Sequence, residues 1–181
     1  MIFSETKLKG AYVIDLEKLD DKRGFFARTW DKKIFEEKGL NNNLVQCNIS
    51  FNKYKGTIRG MHFQTPPYEE AKLVRCIRGS AFEVMVDLRS DSKTFNQWSG
   101  IEINSKNYRM LYAPEGFALG FQTLEDNTEL FYQISQVYAP DYARGFRWDD
   151  PAFRILWPLK VSVISQRDLS FKSFEQQVSE Y

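Results

Sequence analysis

Alternation between apolar and polar positions is the dominant pattern along the chain. Three segments show it, each with one set of residues on a common face: Phe82, Val84, Val86 and Leu88; Lys72, Val74 and Cys76; Leu130, Tyr132 and Ile134. This period of two is typical of β-strands. Turn-forming residues recur about every ten positions, for example at 55–56, 78–80 and 104–107. The spacing predicts an all-β sandwich or barrel.

Helical signals are few. The segment 30–38 predicts a helix, with Asp31 as its N-cap and Gly39 as its stop. A second short helix is expected at 174–178, so short helices flank the strands.

Length and charge place limits on the protein class. The 181 residues fit one domain, 1–181, and 25 basic residues nearly balance 24 acidic ones. That balance argues against a nucleic-acid partner or an anionic membrane surface. The chain has no apolar run of about 20 residues, and segment 1–7 lacks the apolar core of a signal peptide. We therefore expect a cytoplasmic protein.

The metal-binding and redox residues are scarce. Two cysteines, Cys47 and Cys76, suit a reducing cytoplasm, with a single bridge as the alternative. The one histidine is His62, whereas common zinc and non-haem iron sites use two or three imidazoles. We expect neither a metal nor another cofactor.

Two polar residues interrupt apolar strand faces. A lysine beside Val74 needs a partner, so Lys72 is either in a salt bridge, with Glu83 or Asp168, or a functional cation. Tyr132 is either a core tyrosine with a satisfied hydroxyl group or a proton donor.

His62 lies in the segment 57–64, three residues after Arg59. A lone histidine is often structural, but a bulge at Gly60 would direct both side chains into one cavity. A base, an acid on the opposite face and a cation near a developing oxyanion perform proton transfer beside a carbonyl. His62, Tyr132 and Lys72 have those three chemical types.

Arg23 lies in the segment 20–28, near two phenylalanines. The segment is either a solvated turn or a place where guanidinium and aromatic groups hold a phosphate and a flat ring.

Eight short motifs occur together in order: RGFF at 23–26, QCNIS at 46–50, KGTIRGMHFQ at 55–64, EAKLVR at 70–75, VDLR at 86–89, PEGFA at 114–118, RWDDP at 147–151 and ISQRD at 164–168. As an ordered set they resemble the dTDP-4-dehydrorhamnose 3,5-epimerase family of cupins. The resemblance implies a double-stranded β-helix, or jelly roll, and a homodimer formed through N-terminal strands. It also implies a metal-free isomerase that inverts C3, C5 or both in a nucleotide-diphospho-4-keto-6-deoxyhexose.

The resemblance also implies residue roles. His62 would be the base, oriented by Asp168; Lys72 would stabilise the enolate and Tyr132 would return a proton from the opposite face. The residues implied to bind the diphosphate and the nucleotide are Arg59, Gln46, Asn48, Arg23 and Tyr138.

Three positions depart from the family pattern. Leu119 replaces a histidine common in the family, which favours a changed reaction over simple drift. Arg28 stands where dTDP-specific members have glutamate, so a different base becomes plausible. Glu83 replaces a frequent aspartate and adds one methylene near the site.

Two alternatives follow from these departures. One is a mono-epimerase, acting at C3 or C5 only on a non-dTDP sugar. The other is a nucleotide-sugar-binding protein without turnover. A metal-dependent cupin is a third and more distant one, because there is a single histidine.

Overall fold

The computed structural model describes residues 1–175. In chain order the strands are β1 (Ile2–Glu5), β2 (Tyr12–Asp15), β3 (Leu19–Asp21), β4 (Gly24–Phe26), β5 (Gln46–Asn52), β6 (Ile58–Gln64), β7 (Lys72–Arg78), β8 (Ser80–Asp87), β9 (Trp98–Asn104), β10 (Met110–Ala113), β11 (Phe117–Thr123), β12 (Thr128–Ile134) and β13 (Ala143–Gly145). The helices are α1 (Lys32–Glu37) and α2 (Gln166–Ser170). The predicted all-β fold with short flanking helices is confirmed.

Two antiparallel sheets form the body of the molecule. One has six strands in the order β1-β2-β10-β7-β12-β5, and the other has five in the order β13-β6-β11-β8-β9. From β5 to β13 successive strands change sheet, except that β8 and β9 are neighbours in the five-stranded sheet. The two sheets pack face to face as a jelly roll. β3 and β4 form a separate hairpin.

The core between the sheets draws on both inner faces. Val74 and Leu130 from the six-stranded sheet pack with Met85, Phe117 and Leu119 from the five-stranded sheet. All five are at most 4% exposed. Burial of these apolar faces is the main force that holds the two sheets together.

Strand β8 is buried on both faces. Its predicted apolar face, which includes Val84 and Val86, turns away from the other sheet and packs under the C-terminal segment against Phe146 and Phe153. The opposite face points between the sheets and carries Glu83 as well as Met85. The cavity is therefore bordered by the Glu83 face of β8, and the alternating apolar pattern had indicated the opposite face as the buried one.

The predicted helix at 30–38 is confirmed as α1, with slightly narrower bounds. The Asp31 side chain accepts hydrogen bonds from the backbone amides of Lys33 and Ile34, and so caps the helix. Gly39 follows it with φ of +67°, a conformation suited to a helix end. Buried Phe35 packs the helix on the outer face of the six-stranded sheet.

Three other expectations concern separate parts of the chain. Of the helix predicted at 174–178, Phe174 and Glu175 are helical, and 176–178 lie outside the described residues. Cys47 and Cys76 are both free thiols, which settles the open question of a bridge. Within residues 1–175, no helix has the length and apolar character needed to cross a membrane.

Candidate active site

A cavity of about 340 Å³ opens between the two sheets. β5, β7 and β12 form one wall, and β6, β8 and β11 form the other. Nine of the residues singled out from the sequence line it: Gln46, Asn48, Arg59, His62, Lys72, Glu83, Leu119, Tyr132 and Tyr138. Side chains scattered over nearly one hundred positions are thereby brought to one site.

His62 is held from behind by a buried carboxylate. Its Nε2 atom lies 2.7 Å from Oδ1 of Asp168, whose side chain is 4% exposed. Burial alone would raise the pKa of Asp168, but hydrogen bonds from His62 and the Gly60 amide outweigh it and hold the pKa below its ordinary value. Because an ionised carboxylate only accepts hydrogen bonds, Nε2 carries the proton and Nδ1 of the neutral ring is free to act as a base.

The start of α2 fixes the position of that carboxylate. Ser165 is the N-cap, and its hydroxyl oxygen accepts a 3.0 Å hydrogen bond from the Asp168 amide. Phe171, just after the helix, packs edge-on against the His62 ring at 5.8 Å.

A β-bulge in β6 directs two functional side chains to the same face, as predicted. In the pairing with β11, Leu119 lies opposite His62 but Phe121 lies opposite Arg59, so β6 holds one extra residue. Gly60, inside the bulge, has φ of +128°, and a Cβ there would lie 2.5 Å from Cα of Gly120. Glycine is needed at position 60 because of this positive φ and because the backbone of β11 lies so close.

Tyr132 lies on the opposite wall from His62. Burial, followed by the charge of Glu83, raises the pKa of Tyr132 well above its ordinary value. The hydroxyl group is therefore protonated at neutral pH and is available as an acid.

Lys72 is 9% exposed and also faces the cavity. The expected partners were Glu83 or Asp168, and this expectation was wrong. Nζ instead forms an ion pair with Glu70 at 2.7 Å. Glu70 lies in the loop before β7, so strand alternation gave no signal for it.

Arg59 is fixed by a residue that the sequence did not single out. Its Nε donates a 2.8 Å hydrogen bond to Oδ1 of Asn52, which is 2% exposed. Arg144 and Arg167 also line the cavity and were missed. Arg167 directly precedes Asp168 in the motif at 164–168. This position beside a predicted catalytic residue could have identified Arg167 from the sequence.

Arg23 and Arg28 do not reach the cavity of their own chain. Arg23 is in the exposed hairpin, paired with Asp21 at 2.6 Å. Arg28 is paired with Asp31 at 3.0 Å. Within one chain each arginine therefore pairs with a nearby carboxylate, and the placement of both beside a bound nucleotide, which the resemblance implies, stays a prediction.

Glu83 and Leu119 form part of the cavity floor. Leu119 is 4% exposed and Glu83 is fully buried. Neither Glu83 oxygen has a hydrogen-bond partner among the described residues. Burial raises the pKa of Glu83 to about 8, although the positive charge of Lys72 acts in the opposite direction.

Residues 1–175 contain no cluster of three His, Cys, Asp or Glu side chains arranged to hold a metal ion. The polar groups of the site instead include one imidazole–carboxylate pair, two phenols, a buried carboxyl group, an ion-paired ammonium group, amides and guanidinium groups. This set suits proton transfer in a substrate that carries an anionic group.

Comparisons with known proteins agree with this chemistry. The family model described as dTDP-4-dehydrorhamnose 3,5-epimerase matches residues 5–176. A dTDP-4-dehydrorhamnose 3,5-epimerase of Methanothermobacter thermautotrophicus is 41% identical over 177 residues, 96% of this chain and 95% of that protein.

Solved structures give the same result. The dTDP-4-dehydrorhamnose 3,5-epimerase of Elizabethkingia anophelis superposes with a TM-score of 0.95 at 34% identity, over 98% of each chain. The dTDP-6-deoxy-D-glucose-3,5-epimerase of Legionella pneumophila, solved with dTDP-4-keto-L-rhamnose, gives a TM-score of 0.91 at 32% identity, over 99% of this chain and 95% of that one.

Proposed function

The chain belongs to the dTDP-4-dehydrorhamnose 3,5-epimerase family of isomerases, and we propose that it inverts carbons beside the C4 ketone of a dTDP-linked 4-keto-6-deoxyhexose. The observation that carries this proposal is the placement of His62 and Tyr132 on opposite walls of one cavity. A base on one side of the sugar ring and an acid on the other are what inversion of a carbon centre requires.

His62 begins the reaction. Its Nδ1 takes the proton from the carbon next to the ketone, and the electron pair of the broken C–H bond moves toward the ketone oxygen to form an enolate. Asp168, 2.7 Å from Nε2, stabilises the imidazolium ion that forms. The Lys72 ammonium group lies in the same cavity and stabilises the enolate oxygen.

Tyr132 completes the inversion. Its O–H bond breaks, a new C–H bond forms on the opposite face of the ring, and the enolate returns to the ketone. His62 then loses its proton and Tyr132 regains one, so the enzyme ends each cycle unchanged.

The nucleotide end of the substrate is assigned to the mouth of the cavity. Arg59, held by Asn52, faces this space together with Arg167, and guanidinium groups bind diphosphates well. Gln46, Asn48 and Tyr138 surround the nucleoside. Because the relatives are named for dTDP, we take thymine as the base.

A homodimer is part of the proposal. β5 is an edge strand of the six-stranded sheet, and the outer face there exposes apolar side chains, including Ile49 at 65% and Phe51 at 49%. Exposed apolar residues beside an open sheet edge favour association with a second chain. The exposed β3–β4 hairpin would then bring Arg23 to the partner's cavity. Light scattering on the purified protein tests this, and a monomer at micromolar concentration would contradict it.

Leu119 supports a second candidate, a mono-epimerase. It lies opposite His62 in the pairing of β6 with β11, and leucine offers the sugar no hydrogen bond there. A ring held by fewer polar contacts would present only one of its two acidic carbons to His62. Inversion at C3 or C5 alone is the corresponding outcome.

The test is incubation of the protein with dTDP-4-keto-6-deoxyglucose in D₂O, followed by proton NMR. We expect deuterium at C3 and C5 with inversion, and deuterium at one carbon would select the mono-epimerase. His62→Asn should abolish exchange, whereas Tyr132→Phe should retain exchange and lose inversion. Tyr54→Phe, an exposed tyrosine outside the cavity, is the matched control. Binding of the sugar nucleotide without any exchange would instead identify a binding protein.

A further inference from the structure

Glu83 is a buried carboxyl group to which the steps above give no role. It lies in β8 at the cavity floor and is fully buried. Neither of its oxygens has a hydrogen-bond partner among residues 1–175. A buried polar group without a partner destabilises the fold, so its presence calls for a function.

The surroundings of Glu83 disfavour a negative charge. The ionisable groups that share this space are Arg59, His62, Glu70, Lys72, Cys76, Tyr132, Tyr138, Arg144 and Arg167. Lys72 is the cation that acts on Glu83, but its ammonium group is ion-paired with Glu70. The cross-strand neighbour in β11 is the apolar Phe121. Burial accordingly raises the pKa of Glu83 to about 8, and the group is mainly a neutral acid at neutral pH.

A neutral carboxylic acid donates a hydrogen bond, whereas a carboxylate only accepts. Donors fixed where charge develops in a water-excluded site stabilise an enolate strongly, and a carboxyl group kept neutral by an apolar site is one such donor. We propose that Glu83 donates a hydrogen bond to the C4 oxygen of the substrate as it becomes an enolate, beside the Lys72 ammonium group. This inference rests on the proposed function.

The proton of Glu83 stays on Glu83 throughout this step. The C–H proton moves to His62, the electron pair moves to the C4 oxygen, and the hydrogen bond from Glu83 strengthens as charge accumulates there. An ionised Glu83 would add a second negative charge beside both the enolate and the phenolate of Tyr132. The active form is therefore the protonated one.

The experiment is a pH profile of turnover from pH 6 to 9.5 for the wild-type protein, Glu83→Gln and Glu83→Leu. We expect wild-type kcat/KM to fall above about pH 8, because that ratio reports ionisations of the free enzyme. Glu83→Gln keeps a neutral donor and should lose this fall. Glu83→Leu has no donor and should lose ~10²–10³ in kcat, with an unchanged dissociation constant for dTDP.

Glu102→Gln is the matched control, since Glu102 is an exposed carboxylate on the adjacent strand β9, and it should keep the wild-type profile. Equal kcat for the Gln and Leu variants, a loss confined to KM, or an alkaline fall that persists in Glu83→Gln would each overturn the inference. Thermal melting checks folding, and if Glu83→Leu does not fold, the Glu83→Gln profile alone decides. A wild-type protein that never exchanges deuterium would overturn the proposed function and this inference together.

Discussion

The site has two buried carboxyl groups, Asp168 behind His62 and Glu83 in the cavity lining, and their chemical states differ. Asp168 is 3% exposed and Glu83 is fully buried, so water is kept from both. Asp168 receives hydrogen bonds from His62 and the Gly60 amide, whereas Glu83 receives none among the described residues. The pKa of Asp168 is lowered, and that of Glu83 is raised to about 8.

Burial alone therefore does not decide whether a carboxyl group is charged. The cost of burial falls on the ionised form, and hydrogen-bond donors or positive charges close to that form can reverse the effect. One site thus contains a charged carboxylate behind the base and a neutral acid in the floor, which are suited to different tasks.

The largest effect on turnover is expected when the negative charge of Asp168, behind His62, is removed. Asp168→Asn can still accept from Nε2–H but cannot stabilise the imidazolium ion, so we expect turnover to fall by ~10²–10⁴. Deuterium exchange and kcat should fall together. Asp91→Asn, an exposed aspartate outside the cavity, is the control, and a loss of less than tenfold in Asp168→Asn would contradict the assigned role.

The next prediction concerns stability and pH. The folded-state pKa of Glu83 is raised from 4.5 to about 8, so its contribution is fully present below pH 4.5 and is lost as pH rises toward 8. Asp168 has a lowered pKa, and its contribution is lost only as pH falls below its ordinary range. Glu83→Gln should thus become more stable relative to wild type between pH 5 and 8, on the order of 3 kcal/mol.

Chemical unfolding of the wild-type protein and of Glu83→Gln at pH 5 and at pH 8 measures this difference in the free energy of unfolding. Glu102→Gln, which removes an exposed carboxylate from the neighbouring strand, should show almost no change. A stability gain in Glu83→Gln that is the same at pH 5 and pH 8 would mean that Glu83 titrates normally.

Sequence patterns predicted part of the active site. Strand alternation placed Lys72 and Tyr132 on the faces that meet in the cavity, because side chains two apart in a strand share a face. It did not place Glu83, since both faces of β8 are buried and the more apolar one faces the C-terminal segment.

Contacts between distant segments depend on register and loops, which local pattern does not encode. His62 and Asp168 are 106 positions apart, and only the family resemblance joined them. The partner of Lys72 was assigned wrongly because Glu70 lies in a loop. Arg23 and Arg28 were placed beside the nucleotide by the resemblance, and that placement stays a prediction, since within one chain they pair with Asp21 and Asp31.

A smaller effect is expected where the partner of Lys72 is changed. Glu70→Gln would remove the ion pair at 2.7 Å and leave the ammonium charge to act on Glu83. The pKa of Glu83 should then be lower, and the alkaline fall in kcat/KM should move down by about one pH unit. Glu69→Gln, at the adjacent position, is the control. An unshifted profile in Glu70→Gln would show that Lys72 does not set the charge state of Glu83.

The smallest effect is expected at the support of Asp168. Ser165→Ala removes the oxygen that accepts the Asp168 amide at 3.0 Å, and loss of an N-cap costs about 1 kcal/mol. Ser170→Ala is the matched control in the same helix, because the Ser170 hydroxyl group donates to the Arg167 carbonyl and does not hold Asp168. We expect Ser165→Ala to lower kcat a few-fold by loosening the carboxylate behind His62, and Ser170→Ala to leave kcat unchanged. Because Glu83 does not depend on α2, the alkaline fall should stay in place in both variants; a shifted fall in Ser165→Ala would mean that the two carboxyl groups are not independent.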